Sequence, residues 1–166
     1  MYIDLHNHYL PSVDDGTKEI KDTLYGLQLA VKEKVSAICF TPHIWLGRFN
    51  NSPDKLREVF ELVKREAKGI NIGLYLGSEV YYSSSISEDY AKGLYIPIGT
   101  RKKYLLVELS TTVMPQGVSN GLYKLMLEGC EPIIAHPERY TYVQKDYKTI
   151  LDFSKAQIPI QVTTQA

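Results

Sequence analysis

The sequence predicts an α/β fold with a parallel sheet. Short apolar runs alternate with amphipathic helical stripes, and the intervals between runs fit crossover helices better than tight hairpins. The chain, at 166 residues with 44% hydrophobic and 23% charged side chains, has the size and composition of one soluble domain, expected to span residues 1–166. Right-handed βαβ crossovers leave two architectures, a barrel or a doubly wound sheet. In both, functional residues gather at the carboxyl ends of the strands.

The elements follow in order. Residues 2–5 form an apolar extended run, the first strand. Ile20, Leu24, Leu27 and Val31 make a helical stripe within residues 17–34, with Thr17 placed to cap it. Residues 36–41 are a short apolar run of buried-strand type, ending in Pro42-His43. Ser52 as cap, Pro53 at the first helical position, and Leu56, Val59, Phe60, Val63 and Ala67 on one face predict a second helix that stops at Gly69. Residues 70–77 are the third strand, leading into Ser78-Glu79.

Residues 80–103 show no sustained period and contain Gly93, Pro97 and Gly99, which predicts a long excursion with one helical turn or two. Residues 104–107 are a fourth strand ending in Glu108, and Val118, Leu122, Leu125 and Met126 mark a helix closed by Gly129. The fifth strand, residues 132–135, ends in His136. Asp146 is placed to cap a last helix with Tyr147, Ile150 and Leu151 inward, and residues 158–162 read as a sixth strand.

Charge and cysteine usage exclude several functions. Nineteen basic residues cancel nineteen acidic ones, so no broad positive field exists to hold nucleic acid or an anionic membrane. The first residues carry neither a basic nor an apolar leader region, and no apolar run approaches the roughly 18 residues of a membrane span. The expected location is therefore cytoplasmic, without membrane insertion. Cys39 and Cys130 lie far apart in apolar segments and are expected to be buried free thiols. A cysteine-dependent phosphatase would need an arginine six residues after its thiol, where this chain has Trp45 and His136.

The candidate site comes from the strand ends. His6 and His8, at i and i+2 of an extended run, point to one side and can converge on one ion. His43 follows the second strand, Glu79 ends the third, Glu108 the fourth and His136 the fifth, so all four histidines of the chain sit at carboxyl ends of strands. Each has an ordinary explanation alone: a turn residue after Thr-Pro, a solvated strand end, or, for Asp15, a neighbour of a helix cap. Together they point to a multinuclear metal centre, whose mixed imidazole and carboxylate donors suit manganese, iron or zinc better than calcium.

In order along the chain, Asp4-Leu5-His6-Asn7-His8, Asp14-Asp15-Gly16, Thr41-Pro42-His43, Glu79, Val107-Glu108-Leu109-Ser110 and Ala135-His136-Pro137-Glu138-Arg139-Tyr140 resemble the polymerase-and-histidinol-phosphatase (PHP) superfamily. Within it they resemble the metal-dependent protein-tyrosine phosphatases of bacterial capsule and exopolysaccharide loci. The resemblance runs from residue 2 to about residue 163. It implies a distorted (β/α)7 barrel, here truncated to about six strands, and a cluster of up to three divalent metals. Manganese is the first choice, with iron or zinc next. The implied reaction is metal-assisted hydrolysis of phosphotyrosine on a cognate tyrosine kinase of the polysaccharide system, without a covalent enzyme intermediate.

Carried over residue by residue, the resemblance makes His6, His8, Asp15, His43, Glu79, Glu108 and His136 metal ligands, with Glu79 bridging, and makes Arg139 the grip on the phosphoryl group. The planar fork of arginine suits two phosphoryl oxygens at once, and the competing role for Arg139 is a salt bridge to Glu138 or another neighbour. Trp45, Arg48, Phe49, Tyr81 and Tyr82 are candidates to flank the substrate ring, or else are packing. Family members continue beyond the match with an Asp and a His that complete the metal shell. The expectation is thus a PHP domain lacking its C-terminal portion, with incomplete metal positions and an open edge at residues 158–162 available for self-association. A histidinol-phosphatase-like enzyme of small phosphomonoesters, a polymerase-linked exonuclease, and a weakly active metal- or kinase-binding remnant share these motifs and stay open as alternatives.

Overall fold

The structure, a computed structural model, describes residues 2–163. The chain divides into two compact units, one through Ser78 and one from Glu79 onward.

The first unit contains β1 (Tyr2–Asn7), α1 (Ile20–Lys32), β2 (Val35–Phe40), β3 (His43–Ile44), α2 (Pro53–Glu66) and β4 (Gly73–Leu76). β1, β2 and β4 form a parallel sheet in the order β1-β2-β4. Its register aligns Asn7 with Phe40 and Phe40 with Leu76, so the three strands finish in one row. Backbone bonds just past that row, from Thr41 N to Asn7 O at 3.0 Å and from Gly77 N to Phe40 O at 2.8 Å, fix how the following loops leave the sheet.

α2 forms as its sequence dictates. The Ser52 hydroxyl accepts from Lys55 N at 3.3 Å, Pro53 opens the helix, Leu56 and Val63 are buried, and Gly69 reverses the chain at φ +101°. α1 begins later than expected. Glu19 precedes its first residue, while the Thr17 hydroxyl donates to Tyr9 O at 2.9 Å. Thr17 is taken by the loop, because backbone bonds from Thr17 N to His8 O and from Ser12 N to Thr17 O close residues 8–17 before the helix starts.

The second unit contains β5 (Glu79–Tyr81), α3 (Ile86–Ala91), β6 (Lys103–Glu108), α4 (Val118–Leu127), β7 (Cys130–Ala135), α5 (Thr141–Lys145), α6 (Lys148–Lys155) and β8 (Ile160–Gln161), with a 3-10 turn at Pro137–Arg139. Here the parallel order is β5-β6-β7-β8. Tyr81 pairs with Glu108, Val107 with Ile134, and Ala135 with Gln161. α4 buries Val118, Leu122 and Leu125 of the expected stripe, with Met126 half-buried.

The α/β class with parallel sheets holds, whereas the number of strands, the inward face of α6 and the length of β8 differ from expectation. Eight strands are present rather than about six, and among the described residues they form no closed sheet. The added strands are the short β3 and β5, which start directly at His43 and Glu79. The excursion at 80–103 carries one defined helix, α3, whose Asp89 is buried and accepts from Ser85 Oγ at 2.6 Å and Tyr95 Oη at 3.3 Å. In α6 the inward residue is Phe153, 4% exposed, whereas Tyr147 and Leu151 are exposed; Tyr147, not Asp146, occupies the cap position, and Asp146 accepts from Lys148 N at 3.0 Å from one residue further out. Finally β8 spans two residues of the expected 158–162 strand, because Pro159 lends only its carbonyl, to Ile134 N at 3.0 Å.

Both cysteines are free and buried. Burial, with Asp4 adding to it, pushes the Cys39 thiol up to about 12. Burial likewise pushes Cys130 up to about 11, Glu131 adding to it while Tyr90 and Lys103 oppose it. Among the described residues no helix is long and apolar enough to cross a membrane.

Candidate metal centre

In the first unit the end of β1 presents both imidazoles to one side, as their spacing requires. His8 Nε2 lies 3.4 Å from His6 Nε2. The turn into them is built by short polar side chains: Asp4 Oδ1 accepts from His6 N at 3.0 Å, and the Asn7 amide donates to Cys39 O at 3.3 Å. The chain then folds back through Asp14-Asp15-Gly16. A Cβ on Gly16 would collide with the His8 carbonyl, so only glycine lets the turn close this tightly.

That turn brings the next donors in. The His8 and His43 rings lie 4.5 Å apart, and His43 Nε2 is 3.8 Å from Asp15 Oδ1. One ligand atom each from His8, Asp15 and His43 fall within 4.8 Å of one another. Asn51 secures this arrangement from α2's side, its amide donating to Val13 O at 2.8 Å and to His43 O at 2.9 Å.

Asp14 is the buried carboxylate of the turn. It lies 2.7 Å from His8 Nδ1 and accepts from His43 N at 2.9 Å and from Gly16 N at 2.9 Å. Burial raises its pKa, but the hydrogen bond and charge of His8 with the Gly16 and His43 amides outweigh it, and the carboxyl is held below its usual range.

Beside these donors, Trp45–Phe49 forms a tight turn, with Trp45 N donating to Phe49 O at 3.0 Å and Phe49 N to Trp45 O at 2.8 Å. Phe49 stacks on His43, the rings 5.3 Å apart and 4° from parallel. The Arg48 guanidinium covers the Trp45 and Phe49 rings, 4.8 Å and 5.1 Å from their centroids, and approaches Asp15 at 4.0 Å.

In the second unit, Glu79 is fully buried at the start of β5, Glu108 is largely buried at the end of β6, and His136 is buried just after β7. His136 Nε2 lies 2.8 Å from Glu79 Oε1. Glu79 thus opens a strand where the sequence reading had it end one. In the β5-β6 register Glu79 pairs with Leu106 and Tyr81 with Glu108, so Glu79 sits two residues short of the level of Glu108.

His136 adopts φ +31° ahead of the 3-10 turn that carries Arg139. Tyr140, fully buried, locks this corner: its hydroxyl donates to Ala135 O at 2.6 Å and accepts from Leu109 N at 2.9 Å. Arg139 is exposed. The Glu138 carboxylate is turned to Thr163, accepting from its N at 3.0 Å and its hydroxyl at 2.5 Å, rather than to Arg139. Tyr81 is half-buried, and Tyr82 is 8% exposed, its ring filling the space beside Gly121 of α4. Tyr82 is therefore packed against α4.

Asp14, Asn51 and Tyr140 were not singled out from the sequence as positioning groups. Asp14 had a signal, an aspartate doublet before glycine six residues from a histidine, but its division of labour with Asp15 depends on the turn geometry.

The chain matches, over residues 2–166, the family described as "Capsular polysaccharide synthesis, CpsB/CapC". It belongs to the CpsB/CapC family. It is similar to CapC of Staphylococcus aureus, 31% identical over 166 residues that cover 99% of this chain and 65% of that protein. It is also similar to tyrosine-protein phosphatase YwqE of Bacillus subtilis, 28% identical over 98% of this chain and 64% of that protein. Among solved structures, one from work on YwqE of B. subtilis and CpsB of Streptococcus pneumoniae, described as metal-dependent tyrosine phosphatases, superposes with a TM-score of 0.90. It is 27% identical, with coverage of 96% of this chain and 65% of that one. This CpsB/CapC chain therefore spans somewhat under two thirds of the length of the relatives it matches.

Proposed function

We propose that this CpsB/CapC chain is a metal-dependent protein-tyrosine phosphatase domain, acting on phosphotyrosine of a cognate tyrosine kinase in capsule or exopolysaccharide synthesis. The observation that carries the reading is the group of His8, Asp15 and His43, whose ligand atoms lie within 4.8 Å of one another in a chain of this family. The donor set fits a first-row divalent ion: neutral imidazoles and carboxylates, no thiolate, on a buried and hydrogen-bonded frame.

His6, His8, Asp15 and His43 would hold metal in the first unit, and Glu79, Glu108 and His136 in the second, with manganese first and iron or zinc as alternatives. When bound, the metal supplies Lewis acidity, drawing charge from the phosphoryl oxygens and lowering the pKa of attacking water. The chain's own residues do the rest. Arg139, exposed at the end of its turn, offers a two-pronged grip on phosphoryl oxygens. Trp45, Arg48 and Phe49, packed on one another, are the side chains offered to an aromatic ring. Residues 1–166 act in this reading as one PHP-type domain in the cytoplasm, its strands belonging to a barrel-type arrangement, with self-association through the edge at β8.

The deciding experiment is a side-by-side assay with added manganese on a phosphotyrosine peptide and on histidinol phosphate. The proposal expects the phosphotyrosine peptide to be preferred. Hydrolysis of histidinol phosphate alone would move the chain to the small-molecule phosphomonoesterases.

A further inference from the structure

Two aspartates stand side by side in the turn after β1, and the fold separates them. Asp15 is half-exposed and reaches toward His43 Nε2, while the Asp14 side chain is entirely buried and faces His8 Nδ1 at 2.7 Å. Asp14 also accepts two backbone N–H groups, from Gly16 at 2.9 Å and His43 at 2.9 Å. One carboxylate therefore touches all three segments that bring donors together in the first unit: the end of β1, the turn, and the start of β3.

We infer that Asp14 is a positioning residue that fixes the tautomer and ring orientation of His8, so that Nε2 is the nitrogen presented to a metal ion. An ionised carboxylate is an acceptor only, so the 2.7 Å contact requires a proton on His8 Nδ1. A neutral imidazole carries one ring proton, which leaves the lone pair on Nε2, the atom that faces His6 Nε2 at 3.4 Å. The carboxylate further raises the basicity of the ring it orients, and outer partners of this kind change metal affinity by roughly 10–100-fold. The same group ties the amide of His43 to the turn, so the spacing between the His8 and His43 rings depends on it. This rests on the proposed metal-binding role of His8, and the readouts below separate the two.

The first test needs no variant. In long-range proton–nitrogen NMR spectra of the metal-free 166-residue chain at about pH 8.5, above the ordinary histidine range near 6.5, His8 is expected to carry its proton on Nδ1. A proton on Nε2 overturns the inference. The second test is competition for zinc against a chromophoric chelator, comparing the native chain with Asp14→Asn. A roughly 10–100-fold loss of zinc affinity is expected in a variant that keeps its helical circular dichroism. Unchanged affinity in that folded variant overturns the inference; if the variant does not fold, the tautomer measurement decides alone. Absence of zinc binding by the native chain would instead overturn the metal reading of the site, and the Nδ1 assignment would still report whether Asp14 sets the His8 tautomer.

Discussion

His136 Nε2 lies 2.8 Å from Glu79 Oε1, joining the residue after β7 to the first residue of β5 across the intervening β6. Neither side chain is more than a few per cent exposed, so their polar atoms depend on protein or on a bound ion rather than on solvent.

His136→Ala removes a donor and deprives the buried Glu79 carboxylate of a close partner. The expected outcome is a fall in bound manganese, read by elemental analysis of the purified protein, together with a loss of about 1–3 kcal/mol of stability in urea. Metal content equal to that of the native chain would remove His136 from the ligand set.

Arg139 is exposed, and its neighbour Glu138 is engaged by Thr163. Arg139→Lys keeps the charge and loses the planar fork. Phosphotyrosine turnover and inhibition by inorganic phosphate are expected to weaken, with melting temperature and metal content unchanged. A large drop in melting temperature would make Arg139 a structural residue.

Tyr140 holds the ends of β6 and β7 through one hydroxyl. Tyr140→Phe keeps the ring but strands Leu109 N–H and Ala135 C=O in the interior, at an expected cost of about 1–3 kcal/mol. Chemical denaturation measures it, and a cost near zero would show that these groups find other partners.

The legible part of the molecule was the part set by periodicity and by side-chain chemistry. Ser52-Pro53 and the stripe through Leu56 and Val63 dictate α2 locally, and alternation in β1 dictates that His6 and His8 share a side. The boundaries that were misplaced depend on tertiary pairing. Thr17 could have capped α1, but the His8 to Thr17 loop captures its hydroxyl. Glu79 could have ended β4, but Gly77-Ser78 break the run and Glu79 opens β5 beside β6. Asp14 and Asp15 are chemically identical in the sequence; only the turn around Gly16 makes one a buried acceptor beside His8 and leaves the other half-exposed beside His43.

Stability should fall under alkaline conditions. Burial raises Cys39 to about 12 and Cys130 to about 11 from 9.0, so between those values the unfolded chain has lost protons that the folded chain retains. Their contribution is fully present below pH 9.0 and is lost as pH rises through 11 and 12. Urea midpoints should decline between about pH 9 and 11, and thiol reagents should label the native protein slowly at pH 8. Rapid labelling of either cysteine in the folded protein would contradict its burial.

Phosphotyrosine-peptide turnover by the 166-residue chain, before and after removal of metal with a chelator and again after manganese is added back, tests the central claim most directly. The account predicts that turnover disappears on chelation and returns with manganese; turnover that survives complete metal removal would contradict it.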